Sequence, residues 1–259
     1  MRIALGIPHL PGFDPRRDEV VNGLVALAQS DPNVTVRVFD ERIPNRAWAH
    51  KMWTWGTLTD CDFFLTLQDD VEHMPSGFWG TLRAMLTALP RPGGVLGLAS
   101  NRTTATLSTS GRWCTEGSVV GWAYGLWKED LGALVDHDLH DNVRQFSEDT
   151  LLDQFCTATG RRRFNPIPTI VDHQSKWRST YGNDKDIYRR CVKRWDGISL
   201  SELQSPSYWA IPELDWKFIV PAPQARVAQR EAKKVVPHKF RRKPPPLPAR
   251  VHKLIKARP

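Results

Sequence analysis

In Cys61-Asp62-Phe63-Phe64-Leu65-Thr66-Leu67-Gln68-Asp69-Asp70-Val71-Glu72-His73-Met74-Pro75, an apolar run from Phe63 to Leu67 stops abruptly at two adjacent carboxylates. The run has the length of a strand buried on both faces and is too short for a core helix. Asp69 and Asp70 then stand at the carboxyl end of a strand, where open α/β sheets place their ligands. Two acids crowded there repel each other unless a cation lies between them or solvent reaches both. Mg²⁺ or Mn²⁺ carrying a phosphorylated ligand suits such a pair, because these hard ions prefer carboxylate oxygens and share their shell with phosphates. A solvated turn ahead of a helix starting near Pro75 accounts for the same two acids equally well.

Upstream, Arg2 to Ile7 reads as a buried strand ended by Pro8. Residues 15–30 read as a helix, with Val20, Val21, Leu24, Leu27 and Ala28 near a 3.6-residue period. Val34 to Phe39 alternates as a second strand and ends at Asp40-Glu41. Strand, helix, strand is one right-handed crossover of a parallel sheet, so Pro8-His9, Asp40-Glu41 and Asp69-Asp70 are expected along one edge. Such an edge suits a nucleotide, with Asp40 available for a ribose hydroxyl. A helix over 46–59 carries Arg46 and Lys51, cations suited to a diphosphate, beside tryptophans that suit packing on the sheet.

Downstream, the pattern predicts a helix from Pro75 to Leu89 and a short strand from Val95 to Ala99. Residues 100–127 turn rich in Gly, Ser, Thr and Trp and read as short strands with a hairpin. Aromatic faces beside small residues, as at Trp122 and Tyr124, suit a sugar ring; for any single one, core packing is the ordinary role. A helix is expected over Lys128–His137. Ser147-Glu148-Asp149 then opens another, with a good N-cap and two acids that favour a first turn. Phe164 to Val171 reads as a strand ending at Asp172-His173, followed by a polar loop with Arg178.

The chain has 259 residues, 41% of them hydrophobic, enough for one large α/β domain or two small ones. No apolar run reaches membrane-spanning length and no secretory leader is apparent, so a cytoplasmic location is expected (host cytoplasm if viral). Four widely spaced cysteines without zinc spacing agree with a reducing compartment. Charge is uneven. Residues 221–259 hold 12 of the 36 Lys and Arg but one of the 28 acids, a net +11; the 24 basic and 27 acidic residues before them give −3. Eight of the 20 prolines also fall in this tail. The division expected is a domain over 1–220 and a flexible basic, Pro-rich tail over 221–259. Such a tail suits a nucleic acid or another polyanion.

Taken in order, these motifs resemble the metal-dependent glycosyltransferases of the GT-A fold, over roughly residues 1–180. Gln68-Asp69-Asp70-Val71 resembles their Asp-x-Asp motif in a form whose last Asp is the direct metal ligand. The compact form also resembles small glycosyltransferases of bacteriophages. Gly121-Trp122-Ala123-Tyr124-Gly125 is similar to the acceptor-side segment, Glu148-Asp149 to the acidic pair that supplies the general base of inverting members, and His173 to the histidine that completes the metal or diphosphate site. The resemblance implies a single α/β, Rossmann-like domain with a mostly parallel central sheet. It implies a nucleoside-diphosphate sugar donor and Mn²⁺ or Mg²⁺ held by Asp70, Asp69 and His173. Donor contacts fall to Pro8, Asp40, Arg46, Lys51, Asp69 and Arg178, acceptor contacts to Trp122 and Tyr124, and the base to Asp149 ahead of Glu148. Gln68 departs from the motif's first acid, and Glu72 offers an alternative Asp-x-Glu register. Three other readings stay open: a retaining mechanism, a nucleotidyltransferase, and a nucleic-acid-binding or scaffold protein whose acidic pairs only cap helices. The nucleotidyltransferase would use similar acids but has no Gly-rich phosphate loop here to favour it.

Overall fold

The predicted crossover unit is present: β1 (Ile3–Pro8), α1 (Pro15–Gln29) and β2 (Val34–Phe39), with β1 and β2 parallel. The structure, a computed structural model, describes residues 1–41, 45–72, 74–99, 111–114, 119, 121–140, 148–173 and 196–211, without the side chains of 45, 46, 139, 140 and 173. After β2 come α2 (Asn45–Leu58), β3 (Phe63–Leu67), β4 (Val71–Glu72), α3 (Phe78–Ala88), β5 (Gly94–Gly97), β6 (Trp113–Cys114), β7 (Ala123–Trp127), α4 (Lys128–His140), α5 (Glu148–Thr159), β8 (Arg162–Pro166), β9 (Asp172–His173), α6 (Leu200–Leu203) and α7 (Pro206–Trp209). Ser147 and the basic tail lie outside the described residues.

Seven strands form one mostly parallel sheet in the order β2-β1-β3-β7-β5-β8-β6, with β7 and β6 running against the other five. The α/β class expected from the sequence is what the chain adopts. β3 is central and all five of its residues are buried. Its side chains alternate between two cores, as a period of two requires. Phe63, Leu65 and Leu67 join Val21, Leu24, Phe78 and Leu82 from α1 and α3. Phe64 joins Met52, Trp53, Leu131, Leu151 and Phe155 from α2, α4 and α5 on the other face. Small residues set how closely the layers approach. A Cβ on Gly6 would lie 2.6 Å from the Met52 side chain, and one on Gly125 would lie 2.3 Å from the Phe63 ring.

Three expectations differ from the structure. Among the described residues of the Gly/Trp-rich segment, the strands do not pair with each other as a hairpin would: β7 pairs with β3 and β5, and β6 pairs with β8. Strong strand formers marked β6 and β7, but pairing is decided by distant partners that local pattern does not carry. The strand placed at Phe164–Val171 lies instead at Arg162–Pro166, and Asp172-His173 pairs with Val71-Glu72 in a separate two-stranded sheet. Pro75 precedes α3, which begins at Phe78 behind Gly77.

Gly125→Ala is expected to destabilise the protein by about 1–3 kcal/mol, because the added methyl collides with the Phe63 ring and the Phe64 carbonyl oxygen. Gly23→Ala, at an exposed position of α1 with open space around it, is expected to stabilise by about 0.4–1 kcal/mol. Urea midpoints with an unchanged slope would check both, and equal midpoints for the two variants would contradict the packing at β3.

Candidate functional site

Parallel pairing aligns the carboxyl ends of β2, β1 and β3, as expected from the sequence. Pro8 is opposite Phe39, and the His9 amide donates to the Phe39 carbonyl oxygen at 2.9 Å. Asp40 stands exposed just past this point. Asp69 and Asp70 follow β3 on the same edge and are buried, at 5% and 6% exposure.

The cation that meets them is an arginine. Asp14 caps α1 by accepting from the Arg16 amide at 3.1 Å, and Pro15 opens the helix. Arg17, Val21, Leu24 and Ala28 are the buried residues of α1, so the guanidinium enters the fold on the stripe that faces the sheet. Arg17 is 4% exposed; it donates to Asp69 Oδ1, and its Nη2 lies 3.1 Å from Asp70 Oδ2. His9 sits with Nδ1 2.9 Å from Asp69 Oδ2 and Nε2 2.9 Å from Asp18 Oδ1. The sequence reading missed Arg17 and gave His9 no role. A signal for Arg17 was available: an arginine in register with an apolar helical stripe needs a buried acid.

Asp69 and Asp70 fit Mn²⁺ or Mg²⁺ by the chemistry of their oxygens, and Mg²⁺ commonly takes only one or two carboxylates beside phosphates and water. Both are engaged by Arg17, and among the described residues no group of three or more His, Cys, Asp or Glu is placed to hold a metal. The pairing of Val71 with His173 brings the backbone of His173 beside the residue that follows Asp70. The side chains of His173 and Arg46, and all of Arg178, lie outside the described residues. Lys51 is part-exposed on α2 and pairs with Glu41.

The second acidic pair reaches the first through β7. Because β7 runs against β3, Leu67 is opposite Ala123, and the residues before β7 lie beside those after β3. The Gln68 amide donates to the Trp122 carbonyl oxygen at 2.8 Å, and Gln68 Nε2 donates to the Gly121 carbonyl oxygen at 3.1 Å. A Cβ on Gly121 would stand 3.7 Å from Asp149 Cβ, so the start of α5 lies against this turn. Asp149 is half-buried there. Glu148 is 4% exposed and accepts from the Tyr124 hydroxyl. Tyr124 in turn accepts from Trp53 Nε1 at 2.7 Å. Tyr124 was expected at the acceptor. It is wholly buried with its hydroxyl spent on Trp53 and Glu148, so it supports the site from beneath. Trp122 is also largely buried.

Burial raises the Glu148 carboxyl to about 7, helped by the charge of Asp149 and opposed by the hydrogen bonds from Tyr124 and Gln68. The Tyr124 hydroxyl is raised as well, by burial and then by Glu148.

No known family model matches the chain, and no curated protein matches it. Several solved structures are similar to it. The chain resembles A197 from STIV at 12% identity, covering 67% of this chain and 86% of that one, with a TM-score of 0.44. It resembles a glycosyltransferase involved in the glycosylation of the major capsid of PBCV-1 at 11% identity, covering 58% and 73%, with a TM-score of 0.40. It also resembles a CMP:2-keto-3-deoxy-manno-octonic acid synthetase complexed with CTP at 9% identity, covering 64% and 89%, with a TM-score of 0.42. These likenesses are of outline alone.

The raised Glu148 carboxyl makes a pH prediction. Folded, it keeps its proton up to about 7; its ordinary value is 4.5. Between those values the folded state binds more protons than the unfolded one, so this group's contribution to stability falls as pH rises through the window. Glu148→Gln is expected to remove that decline. Urea titrations at pH 4.5 and pH 7.5 should show the wild type losing about 1–3 kcal/mol more than the variant. Parallel losses would mean that Glu148 does not titrate in this window.

Proposed function

We propose that this chain is a glycosyltransferase that moves a sugar from a nucleoside-diphosphate sugar to an acceptor hydroxyl. The observation that carries the reading is that the Gly121-Trp122 turn bonds Gln68, the residue before Asp69-Asp70, and stands against Asp149 at the start of α5. A transfer of this kind needs charge control at a departing diphosphate and, a few ångströms away, a base for the incoming hydroxyl.

The donor lies along the carboxyl edge of β1, β2 and β3, with Pro8 against it and Asp40 exposed for a ribose hydroxyl. Asp70 and Asp69, with His173, would hold Mn²⁺ or Mg²⁺, which when bound neutralises charge on the leaving diphosphate. Arg46, Lys51 and Arg178 are the further cations assigned to the donor; Lys51 would leave its exposed pair with Glu41 at little cost. Asp149 takes the proton of the acceptor hydroxyl as that oxygen attacks the anomeric carbon from the face opposite the diphosphate. Its half-exposed carboxyl favours it over Glu148, which is buried and bonded to Tyr124. Trp122 contributes an edge on the acceptor side. Residues 221–259, at net +11, hold an anionic partner such as a nucleic acid.

A thermal-shift screen of UDP, GDP, ADP and CDP with and without Mn²⁺ tests donor class and metal together. A cognate nucleotide at a hundred times its Kd should stabilise by about 2.7 kcal/mol. Asp70→Ala is expected to remove the Mn²⁺-dependent part of that shift. An unchanged nucleotide and metal response in this variant would remove Asp70 from the donor site.

Asp149→Asn separates a base from a helix cap. As a dipole partner it is replaceable at about 0.3–1 kcal/mol of stability. As the base, its loss should slow single-turnover transfer by about 10²–10⁴-fold while donor binding and melting stay near wild type. Near-normal transfer by both Asp149→Asn and Glu148→Gln would leave only the capping role for these acids.

A further inference from the structure

The acids at the end of β3 are already met by a cation that belongs to the chain. Arg17 donates to Asp69 Oδ1, and its Nη2 lies 3.1 Å from Asp70 Oδ2. The other oxygen of Asp69 faces His9 Nδ1 at 2.9 Å and accepts from the Leu10 amide at 3.4 Å. Arg17 is also fixed in place. It is 4% exposed, it belongs to the buried stripe of α1, and its guanidinium carbon lies 5.8 Å from the centre of the Phe13 ring. A side chain held by its helix, a ring and two carboxylates does not swing clear when a second cation arrives.

A divalent ion at this pair must therefore share its carboxylates with Arg17. Mg²⁺ takes oxygen ligands at about 2.0–2.1 Å, which would bring it close to the guanidinium. Like charges at such range disfavour each other. A diphosphate reverses this, because its oxygens give the ion further ligands and set negative charge against both cations.

We propose that Arg17 is a resident counter-ion that makes metal binding at Asp69-Asp70 conditional on the nucleoside diphosphate. The ion alone finds these carboxylates taken; ion and diphosphate bind as one unit. The proposal rests on the glycosyltransferase reading for the identity of the diphosphate, whereas competition between Arg17 and the ion can be measured without it. The coupling is reciprocal: the factor by which nucleotide tightens metal binding is the factor by which metal tightens nucleotide binding.

The test is direct metal binding, read from the electron paramagnetic resonance signal of free Mn²⁺ at constant pH and ionic strength. Each protein is titrated alone and with saturating UDP, GDP, ADP or CDP, and nucleotide without protein is the blank. For the wild type, one nucleotide is expected to tighten Mn²⁺ binding about ten-fold or more. Arg17→Gln keeps N–H donors and removes the charge. Without nucleotide it should bind Mn²⁺ about ten-fold or more tighter than the wild type, and the nucleotide's effect on it should be about ten-fold smaller. Arg17→Lys, which keeps the charge, should stay close to the wild type. If Arg17→Gln does not fold without divalent ions, Mn²⁺ or Mg²⁺ should restore its circular dichroism where KCl of equal ionic strength does not; failure of both ions to do so overturns the proposal. Equal Mn²⁺ affinity of the wild type and Arg17→Gln without nucleotide also overturns it. Tighter binding by Arg17→Gln with no nucleotide effect on either protein overturns the nucleoside-diphosphate reading and leaves the competition standing. Absence of Mn²⁺ binding by both proteins, with and without nucleotide, overturns both.

Discussion

A guanidinium buried against two adjacent carboxylates is the constraint on which the edge of this sheet depends. Arg17 cannot leave the interior without exposing the apolar stripe it shares with Val21, Leu24 and Ala28. Asp69 and Asp70 cannot leave without moving the end of a strand buried on both faces. Removing one partner from a buried pair of this kind costs about 3–5 kcal/mol, a large share of the roughly 5–15 kcal/mol that holds a domain together. The opposed charges therefore hold α1 in one place over the ends of β1 and β3, with His9 closing the remaining side of Asp69.

The same arrangement bears on chemistry. Two adjacent carboxylates repel each other unless a cation lies against them. Here Arg17 lies against both of them and offsets part of their charge. On the far side of β3, compensation takes another form. Burial raises the Glu148 carboxyl to about 7, against the opposing hydrogen bond from the Tyr124 hydroxyl. The two acidic pairs thus live in different electrostatic settings, one set against an arginine and the other with a buried carboxyl held by a phenol.

Much of this was legible in the chain itself. The five buried residues of β3, the alternation of β2 and the 3.6-residue spacing of α1 are local patterns, and local patterns survive folding because each reports which face of its own element is covered. The alignment of Pro8, Asp40 and Asp69 on one edge followed from the parallel strands that a strand-helix-strand crossover joins. Position in a pattern did not reveal role. Tyr124 sits among glycines and aromatics that suit a sugar, yet it points into the core, because its strand is central and not the edge of a hairpin.

The sequence alone determined the α/β class, the strand that ends in two aspartates and the place of a helix opening with two acids. Each is a property of a few neighbouring residues and their periodicity. The tertiary structure decided what those acids meet. Arg17 reaches Asp69 across 52 residues, and Tyr124 reaches Glu148 across 24. Such partners are set by which strands pair and by how closely glycines such as Gly6 and Gly125 let the layers approach. That information is spread over the whole core, and no single stretch of the chain contains it.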